Sequence, residues 1–211
     1  MQKLIASGIV MLLLGSSVAW AGPWQSLFNG KDLTGWQGDT QGYVVENGVL
    51  VATRHSRNLF TREQFGDFEL RLEFRLTPGA NNGIAVRAPL QGHPTFDGTE
   101  IQILDDYAPK YRKLKPYQYC GSVYGVVPAK RGHLKPAGEW NQMLIRMQGR
   151  HVRVVLNGAV IVDANLDEAA PGGKTVDGRP HPGLRRSRGY IGLLGHGTRV
   201  EFRNIFVRRL D

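Results

Sequence analysis

The stretch from Phe68 to Leu76 alternates apolar and charged residues without a break, as FELRLEFRL. Side chains of a β-strand point to opposite faces in turn, so this period of two predicts a strand with one buried face and one wet face. The same alternation recurs at 143–147, 152–156 and 200–203. No comparable stretch shows a sustained helical period between caps, which predicts that helices are short or absent.

Glycine-rich turn signals separate the alternating segments. They include Glu46-Asn47-Gly48, the run from Pro78 to Gly83, Gln148-Gly149-Arg150 and the Asn157-Gly158 pair. An Asn-Gly pair between two strand-like runs is a strong hairpin signal, because both residues tolerate positive φ. Many short strands joined by such turns predict an all-β fold, a two-sheet antiparallel jelly-roll sandwich.

Residues 1–21 have the three-part layout of a secretory signal peptide. Lys3 precedes an apolar run from Leu4 to Leu14, and the segment ends in Ala19-Trp20-Ala21. This layout predicts cleavage after Ala21 and export to the periplasm or the extracellular space. The apolar run is too short to span a bilayer, so we expect no stable membrane insertion.

Residues 22–211 are enough for one hydrophobic core and few for two, so we expect a single domain. Cys120 is the only cysteine, which excludes an intrachain disulfide. The formal net charge is +9, but the cations are spread along the chain, and together with export this argues against nucleic acid as a partner. The segment from Glu168 to Gly189 shows no periodicity and predicts a long irregular connection. The oligomeric state stays open.

Six motifs in a fixed order resemble the 3-keto-disaccharide hydrolase family. They are FNGKDLTGW at 28–36, Asn81-Asn82-Gly83-Ile84 followed by Arg87, GTEIQILD at 98–105, GEWN at 138–141, LNG at 156–158, and GYIGLLGHG with FRNI between 189 and 205. The resemblance covers essentially all of 22–211 and implies a concanavalin A-like jelly roll acting on glycosides oxidised at carbon 3. The chain departs from the family pattern at Asn82, where Ser is usual, and at Leu194, where Gln is usual.

The segment from Glu100 to Asp105 carries the expected carboxylates. Alternation places Glu100 and Gln102 on one face, and Asp105 joins them only if a one-residue bulge falls at Ile103-Leu104. The spacing also resembles the acidic strand of laminarinase-type glycosidases, with Gln102 in place of the middle Asp. We therefore expect Glu100 and Asp105 to be catalytic and Gln102 to bind substrate. The alternative is that 100–105 is an edge strand whose polar side chains simply face water.

Arg87 and His196 complete the expected catalytic set. Alternation puts Arg87 on the face of Gly83 and Ala85, where small residues leave room for a ligand that a guanidinium would hold. A salt bridge to Glu100 is the structural alternative. His196 lies between two glycines and titrates in the range suited to proton transfer, although a histidine in a turn is often simply solvated.

Further residues are expected to bind substrate around this set. Asn81 belongs to one of the family motifs, while Tyr124, Lys130 and His133 follow Cys120 and would form one rim. Aromatic faces for sugar stacking would come from Tyr107, Tyr111, Tyr117 and Tyr119.

The sequence predicts no cofactor. No His/Cys group has zinc spacing, and Asp105-Asp106 would at most make a calcium site. Trp36 and Trp140 are expected in the core.

The resemblance implies cleavage of 3-keto-glycosides. A ketone at carbon 3 acidifies the proton at carbon 2, so a base can remove it and the group at carbon 1 can leave. Glu100 or His196 as base, Arg87 as enolate stabiliser and Asp105 as second acid/base fit these roles. Direct hydrolysis by Glu100 and Asp105 is a variant of the same class. The alternatives are a lectin-like module that binds a glycan without turnover and an envelope-associated interaction domain.

Overall fold

A computed structural model describes residues 21–211, so the expected signal peptide, apart from Ala21, lies outside the described residues. Numbered in chain order, the strands are β1 Gln25–Ser26, β2 Trp36–Gly38, β3 Tyr43–Glu46, β4 Val49–Ala52, β5 Asn58–Phe65, β6 Phe68–Leu76, β7 Asn81–Ala88, β8 Thr99–Leu104, β9 Trp140–Gln148, β10 His151–Leu156, β11 Ala159–Asn165, β12 Gly189–Gly195 and β13 Val200–Arg209. The helices are α1 Pro94–Asp97 and α2 Leu166–Ala169. Each helix is 4 residues long, which confirms that helices are short.

The strands form two antiparallel sheets. The larger sheet has the order β11-β10-β9-β6-β13-β4-β3, with β1 also paired to β13. The smaller sheet has the order β2-β5-β12-β7-β8. One hydrophobic cluster draws its members from both sheets and fills the space between them. The prediction of an all-β, two-sheet antiparallel jelly-roll sandwich is confirmed.

Strand β6 shows how alternation builds this core. Its five apolar side chains, at the even positions from Phe68 to Leu76, are each no more than 3% exposed. Burying one such side chain contributes about 1.5–3 kcal/mol. The odd positions face outward, where Glu73 pairs with Arg203 across β13. Strand β6 therefore contributes apolar side chains to the core on one face and paired charged side chains to the surface on the other.

The two tryptophans expected in the core have different positions. Trp36 is 1% exposed and belongs to the core. Trp140 instead faces outward from the larger sheet, where the guanidinium groups of Arg75 and Arg203 lie 4.8 and 4.0 Å from its ring centroid. The expectation for Trp140 is wrong, because its strand position belongs to the outward face.

The Asn157-Gly158 hairpin is confirmed between β10 and β11. The two residues have φ of 50° and 87°, as a two-residue hairpin turn requires. The Asn157 side-chain amide donates to the His133 carbonyl at 2.7 Å and to Asn141 Oδ1 at 2.8 Å. Asn141 Oδ1 also accepts from the Lys135 amide at 2.9 Å. Residues of the GEWN and LNG motifs therefore hold the loop before β9 against the larger sheet through these hydrogen bonds.

Two other connections bear on the site. The turn predicted from Pro78 to Gly83 ends sooner than expected, because β7 begins at Asn81. Between α2 and β12 the chain is irregular except for the 3-10 turns Pro171–Gly173 and Pro182–Arg185, which confirms the long irregular connection. Within the described range, no helix is long and apolar enough to cross a bilayer.

A bulge in β7 moves Arg87 away from its expected position. Between the Ala85–Gly192 and Ala88–Tyr190 pairs, two residues of β7 oppose one residue of β12. Arg87 has a left-handed φ of 50° there, which is uncommon for a residue with a side chain. Ala85 and Ala88 belong to one small buried cluster, and Arg87 is buried as well.

The Arg87 guanidinium is a structural cation. It donates to the carbonyls of Gly66 at 2.9 Å and Gly149 at 2.8 Å, and it pairs with Asp67 at 2.7 Å. These partners lie in the β5–β6 and β9–β10 turns, so Arg87 ties the smaller sheet to the larger one. The expectation that Arg87 faces Glu100 as a catalytic residue is wrong, because the bulge directs its side chain into this network.

Arg87→Met should lower the free energy of unfolding by about 3 kcal/mol, because it leaves Asp67 and two carbonyls without their buried partner. Urea unfolding followed by tryptophan fluorescence measures the change. Arg62→Met, at an exposed position of β5, is the matched control and should shift stability by less than about 0.5 kcal/mol. Equal, small effects of the two substitutions would contradict the structural role of Arg87.

Candidate functional site

A pocket of about 260 Å³ opens beside β7 and β8 on the smaller sheet. We call it the Glu100 pocket. Six of the expected site residues line it, namely Asn81, Glu100, Gln102, Tyr111, Tyr124 and His196. The other lining residues are His93, Thr95, Phe96, Leu104, Leu114, Gln118 and Arg179. The volume is slightly below that of typical small-ligand sites, which begin at roughly 300 Å³.

Asp105 lies outside the Glu100 pocket. Strand β8 pairs with β7 in unbroken register, so the bulge expected at Ile103-Leu104 does not exist. Alternation therefore presents Leu104 to the pocket. The Asp105 carboxylate accepts hydrogen bonds from the backbone amides of Gly79 at 2.7 Å and Tyr107 at 3.2 Å. The catalytic expectation for Asp105 is wrong, because its carboxylate holds this turn.

Lys130 and Asp106 both lie outside the Glu100 pocket. Lys130 is exposed and does not line the Glu100 pocket, so the structure does not bring it together with the other expected site residues. Its backbone amide pairs with the Ile161 carbonyl at 2.9 Å. The Asp106 carboxylate accepts from the Cys120 amide at 2.9 Å. Among residues 21–211, no three His, Cys, Asp or Glu side chains are arranged to hold a metal ion.

The Glu100 carboxyl is the most perturbed group of the pocket. The residue is only 4% exposed, and its carboxylate lies over Gly83, where a Cβ atom would collide with it. Burial raises the pKa of Glu100 to about 7, and the Thr95 hydroxyl opposes part of the rise. A carboxyl that is about half ionised near neutral pH can both take and return a proton.

His196 follows β12 and faces the same pocket from the other side of β7. Desolvation, and to a smaller extent the nearby His93, lowers the pKa of His196 below its usual value although the residue is exposed overall. The imidazole is therefore mostly neutral at pH 7 and offers one donor and one acceptor nitrogen.

Two neutral side chains are oriented as donors toward the pocket. The Gln118 amide donates to the Tyr124 hydroxyl at 3.1 Å, which leaves the hydrogen of that hydroxyl for another acceptor. The Gln102 side-chain oxygen accepts from the Ile103 backbone amide at 3.0 Å. Its NH₂ group is consequently the part of Gln102 that can serve a ligand oxygen.

The long connection before β12 supplies a cation to the pocket. The Arg179 guanidinium lies 4.0 Å from the Phe96 ring centroid. Its loop is fixed by a buried pair in which His181 Nε2 lies 3.0 Å from Asp177 Oδ2. The His181 ring also packs edge-on against Phe96, with 4.9 Å between centroids. Arg179 is therefore held beside the Glu100 pocket by tertiary contacts.

Sequence reasoning missed several residues that line the pocket, among them His93, Thr95, Phe96 and Arg179. Signals for them exist in retrospect. His93, Thr95 and Phe96 come just before Glu100 in the chain, so they had to lie near it. Arg179 belongs to a long connection, and such connections are commonly functional, but nothing in the sequence shows which arginine of this connection lines the pocket.

Comparison with known proteins places the chain among carbohydrate-active relatives. The sequence profile described as "3-keto-alpha-glucoside-1,2-lyase-like domain" matches residues 23–208. A 3-keto-disaccharide hydrolase from Bacteroides thetaiotaomicron is 25% identical over 226 residues, covering 88% of this chain and 78% of that protein.

Solved structures agree with this placement. A Parabacteroides distasonis protein, described by inference as a glycosyl hydrolase, has a TM-score of 0.80 at 33% identity, covering 89% of this chain and 99% of that one. A second structure from the same organism, described in the same way, has a TM-score of 0.75 at 26% identity, covering 90% of this chain and 94% of that one.

Relative to wild type, Glu100→Gln should stabilise the protein more at pH 8 than at pH 4.5. A native pKa of about 7 against an ordinary 4.5 means that the native state holds the proton more tightly than the unfolded state. Wild type therefore loses stability as pH rises between these values, by on the order of 3 kcal/mol. The variant lacks this loss.

Urea unfolding at pH 4.5, 6 and 8 measures the difference. Glu139→Gln, at an exposed position, is the control and should give the same small difference at every pH. A Glu100→Gln effect that does not change with pH would mean that the native carboxyl titrates normally.

Proposed function

The chain belongs to the 3-keto-alpha-glucoside-1,2-lyase-like family, and from this premise we propose that it cleaves the glycosidic bond of 3-keto-disaccharides with Glu100 as the base. The observation that carries the proposal is a buried carboxyl with a pKa of about 7 in a pocket lined by polar side chains. The name of the B. thetaiotaomicron relative supports the same substrate, and the names of the P. distasonis structures support hydrolysis of glycosides in general.

The first step is removal of the proton at carbon 2 of the keto-sugar. The Glu100 carboxylate takes this proton, and the electrons of the broken C–H bond move into a C2–C3 double bond, which leaves an enolate at the ketone oxygen. Burial makes Glu100 a stronger base than an ordinary carboxylate. It also ensures that the protonated form is populated at neutral pH, so that the proton can be passed on.

Donors around the pocket support stabilisation of the enolate oxygen. The Tyr124 hydroxyl and the Gln102 amide have their hydrogens available, as their hydrogen bonds show. Arg179 adds a positive charge in the same pocket. Donors that are positioned before the reaction stabilise developing negative charge without the cost of reorienting water. These groups take the place that the sequence assigned to Arg87.

The second step expels the group at carbon 1. The enolate electrons restore the ketone, a C1–C2 double bond forms, and the bond from carbon 1 to the leaving oxygen breaks. Protonated Glu100 returns its proton to that oxygen, and the neutral His196 imidazole can donate a hydrogen bond to it. Water then adds its oxygen to carbon 1 and a proton to carbon 2, so the net reaction is hydrolysis.

Direct hydrolysis by two carboxylates has less support. Glu100 is the one carboxylate among the lining residues of the pocket, and Asp105 is engaged in a turn. An elimination needs a single base, whereas the usual glycosidase mechanism needs a pair of carboxyl groups. The site therefore favours the elimination.

A lectin-like module is the second candidate function. It is favoured by Gln102, which stands where laminarinase-type strands have an acid, and by the donor-rich pocket walls. A lectin would hold the sugar and release it unchanged.

We also propose that the protein acts outside the cytoplasm. The secretory layout of residues 1–21 supports this, and a fold without disulfides is compatible with either compartment. Fractionation of expressing cells would test it. Retention in the cytoplasm with residues 1–21 intact would contradict it.

Wild type should cleave a 3-keto-disaccharide and leave its unoxidised parent essentially untouched, because the parent has no acidified proton at carbon 2. Glu100→Gln keeps the shape of the side chain and removes the base, so turnover should fall by about a hundredfold or more while binding of the keto-sugar survives. Product analysis by chromatography and calorimetric binding measure the two effects.

The pH profile of the same reaction is a second readout. Because the base must be ionised, kcat/KM should fall as pH drops below about 7. Glu139→Gln should retain both turnover and profile. Similar cleavage of parent and keto-sugar would exclude the elimination, and no product from either sugar would favour the lectin.

A further inference from the structure

A groove of about 560 Å³, larger than the Glu100 pocket, lies on the outward face of the larger sheet. It belongs to β6, β9, β10 and β13, whereas the Glu100 pocket belongs to the other sheet. We call it the outer groove. Its side-chain walls comprise Arg71, Glu73, Gln142, Leu144, Val155, Asn204 and Phe206.

One wall of the outer groove is a row of three apolar side chains and Arg71 across the strands. Arg71 pairs in register with Phe206 on one side and Leu144 on the other, and Leu144 pairs with Val155. Outward positions of alternating strands are normally polar. Phe206 on one side of Arg71, and Leu144 with Val155 on the other, therefore depart from this pattern.

The other wall is a polar row one step along the strands. Glu73 pairs in register with Gln142, and its carboxylate binds Arg203 at 2.6 Å. Asn204 lies at a β13 bulge with a left-handed φ of 52°, and bulges commonly redirect a side chain toward a site. The groove thus has one apolar side and one side of amide and carboxylate groups.

Arg71 differs from the other arginines of this face. Those at other outward positions pair with carboxylates: Arg75 with Glu201, Arg146 and Arg208 with Glu69, and Arg203 with Glu73. The Arg71 guanidinium instead lies 4.5 Å from the Trp24 ring centroid and 4.6 Å from that of Phe206. Within 21–211 no carboxylate lies at ion-pair distance from it, so its positive charge remains available at the groove.

We propose that the outer groove binds an acidic oligosaccharide, one that carries a uronate or an equivalent anionic group. The apolar row would contact the C–H face of a pyranose ring, because sugars bury such faces against apolar side chains. The polar row would bind ring hydroxyls, and Arg71 would bind the anionic group through its planar fork of N–H donors. The site is independent of the proposed reaction, since it lies on the other sheet.

Isothermal titration calorimetry of the purified protein tests the proposal with α-1,4-linked trigalacturonate and its neutral counterpart galactotriose. Trigalacturonate should bind, and galactotriose should bind at least about tenfold more weakly, because it lacks the charge that Arg71 meets. Arg71→Met and Gln142→Ala should each weaken trigalacturonate binding by about tenfold or more. Arg62→Met, which removes the same charge on the smaller sheet, and Glu100→Gln should leave it unchanged.

Three results would overturn the proposal. Equal binding of the two trisaccharides would remove the role of Arg71. Binding that Glu100→Gln abolishes, and that the groove variants spare, would place the ligand in the Glu100 pocket. A dimer in analytical ultracentrifugation that Arg71→Met dissociates would make the groove an interface between two copies. Unfolding curves show which variants are folded. If Arg71→Met does not fold, Gln142→Ala, at an exposed position, still tests the proposal.

Discussion

The contact between the Glu100 carboxyl and Gly83 is the constraint on which the Glu100 pocket depends. Strands β7 and β8 place the two residues diagonally on one face, and only a residue without a Cβ lets the carboxyl lie flat against the sheet. The carboxyl is thereby withdrawn from water, and desolvation is the first cause of its raised pKa. A side chain at position 83 would push it outward and restore an ordinary carboxylate.

The sandwich supports this contact from behind. The faces of β7 and β8 opposite to Glu100 carry Ile84, Ile101 and Ile103, all fully buried in the core. The bulge at Arg87 adds a second support, because it sends a cation to the turns of the larger sheet. The smaller sheet is thus held rigidly against the larger one, and catalytic geometry is best maintained on such rigid elements. Loops supply the remainder of the wall, through Phe96 and Arg179.

Much of the fold could be predicted because it follows from alternation. The β6 pattern gave its strand, and Asn157-Gly158 gave its hairpin. Glu100 and Gln102 share a face for the same reason. Alternation could not place Arg87, because the bulge at this left-handed residue changes the face to which its side chain points. Asp105 failed for the opposite reason, because the assumed bulge is absent and β8 runs regularly to Leu104. Arg179 depends on tertiary contacts through His181, which no local pattern encodes.

Cleavage of a 3-keto-disaccharide in D₂O is the most direct measurement of whether the proton at carbon 2 is removed. If Glu100 starts an elimination, the released keto-sugar should contain deuterium at carbon 2, as read by mass spectrometry and NMR. The control is the same keto-sugar, added as finished product to the enzyme in D₂O. The keto-sugar released by cleavage should gain the label faster than this control does. A released keto-sugar that retains its original proton at carbon 2 would contradict the elimination and the role of Glu100 as its base.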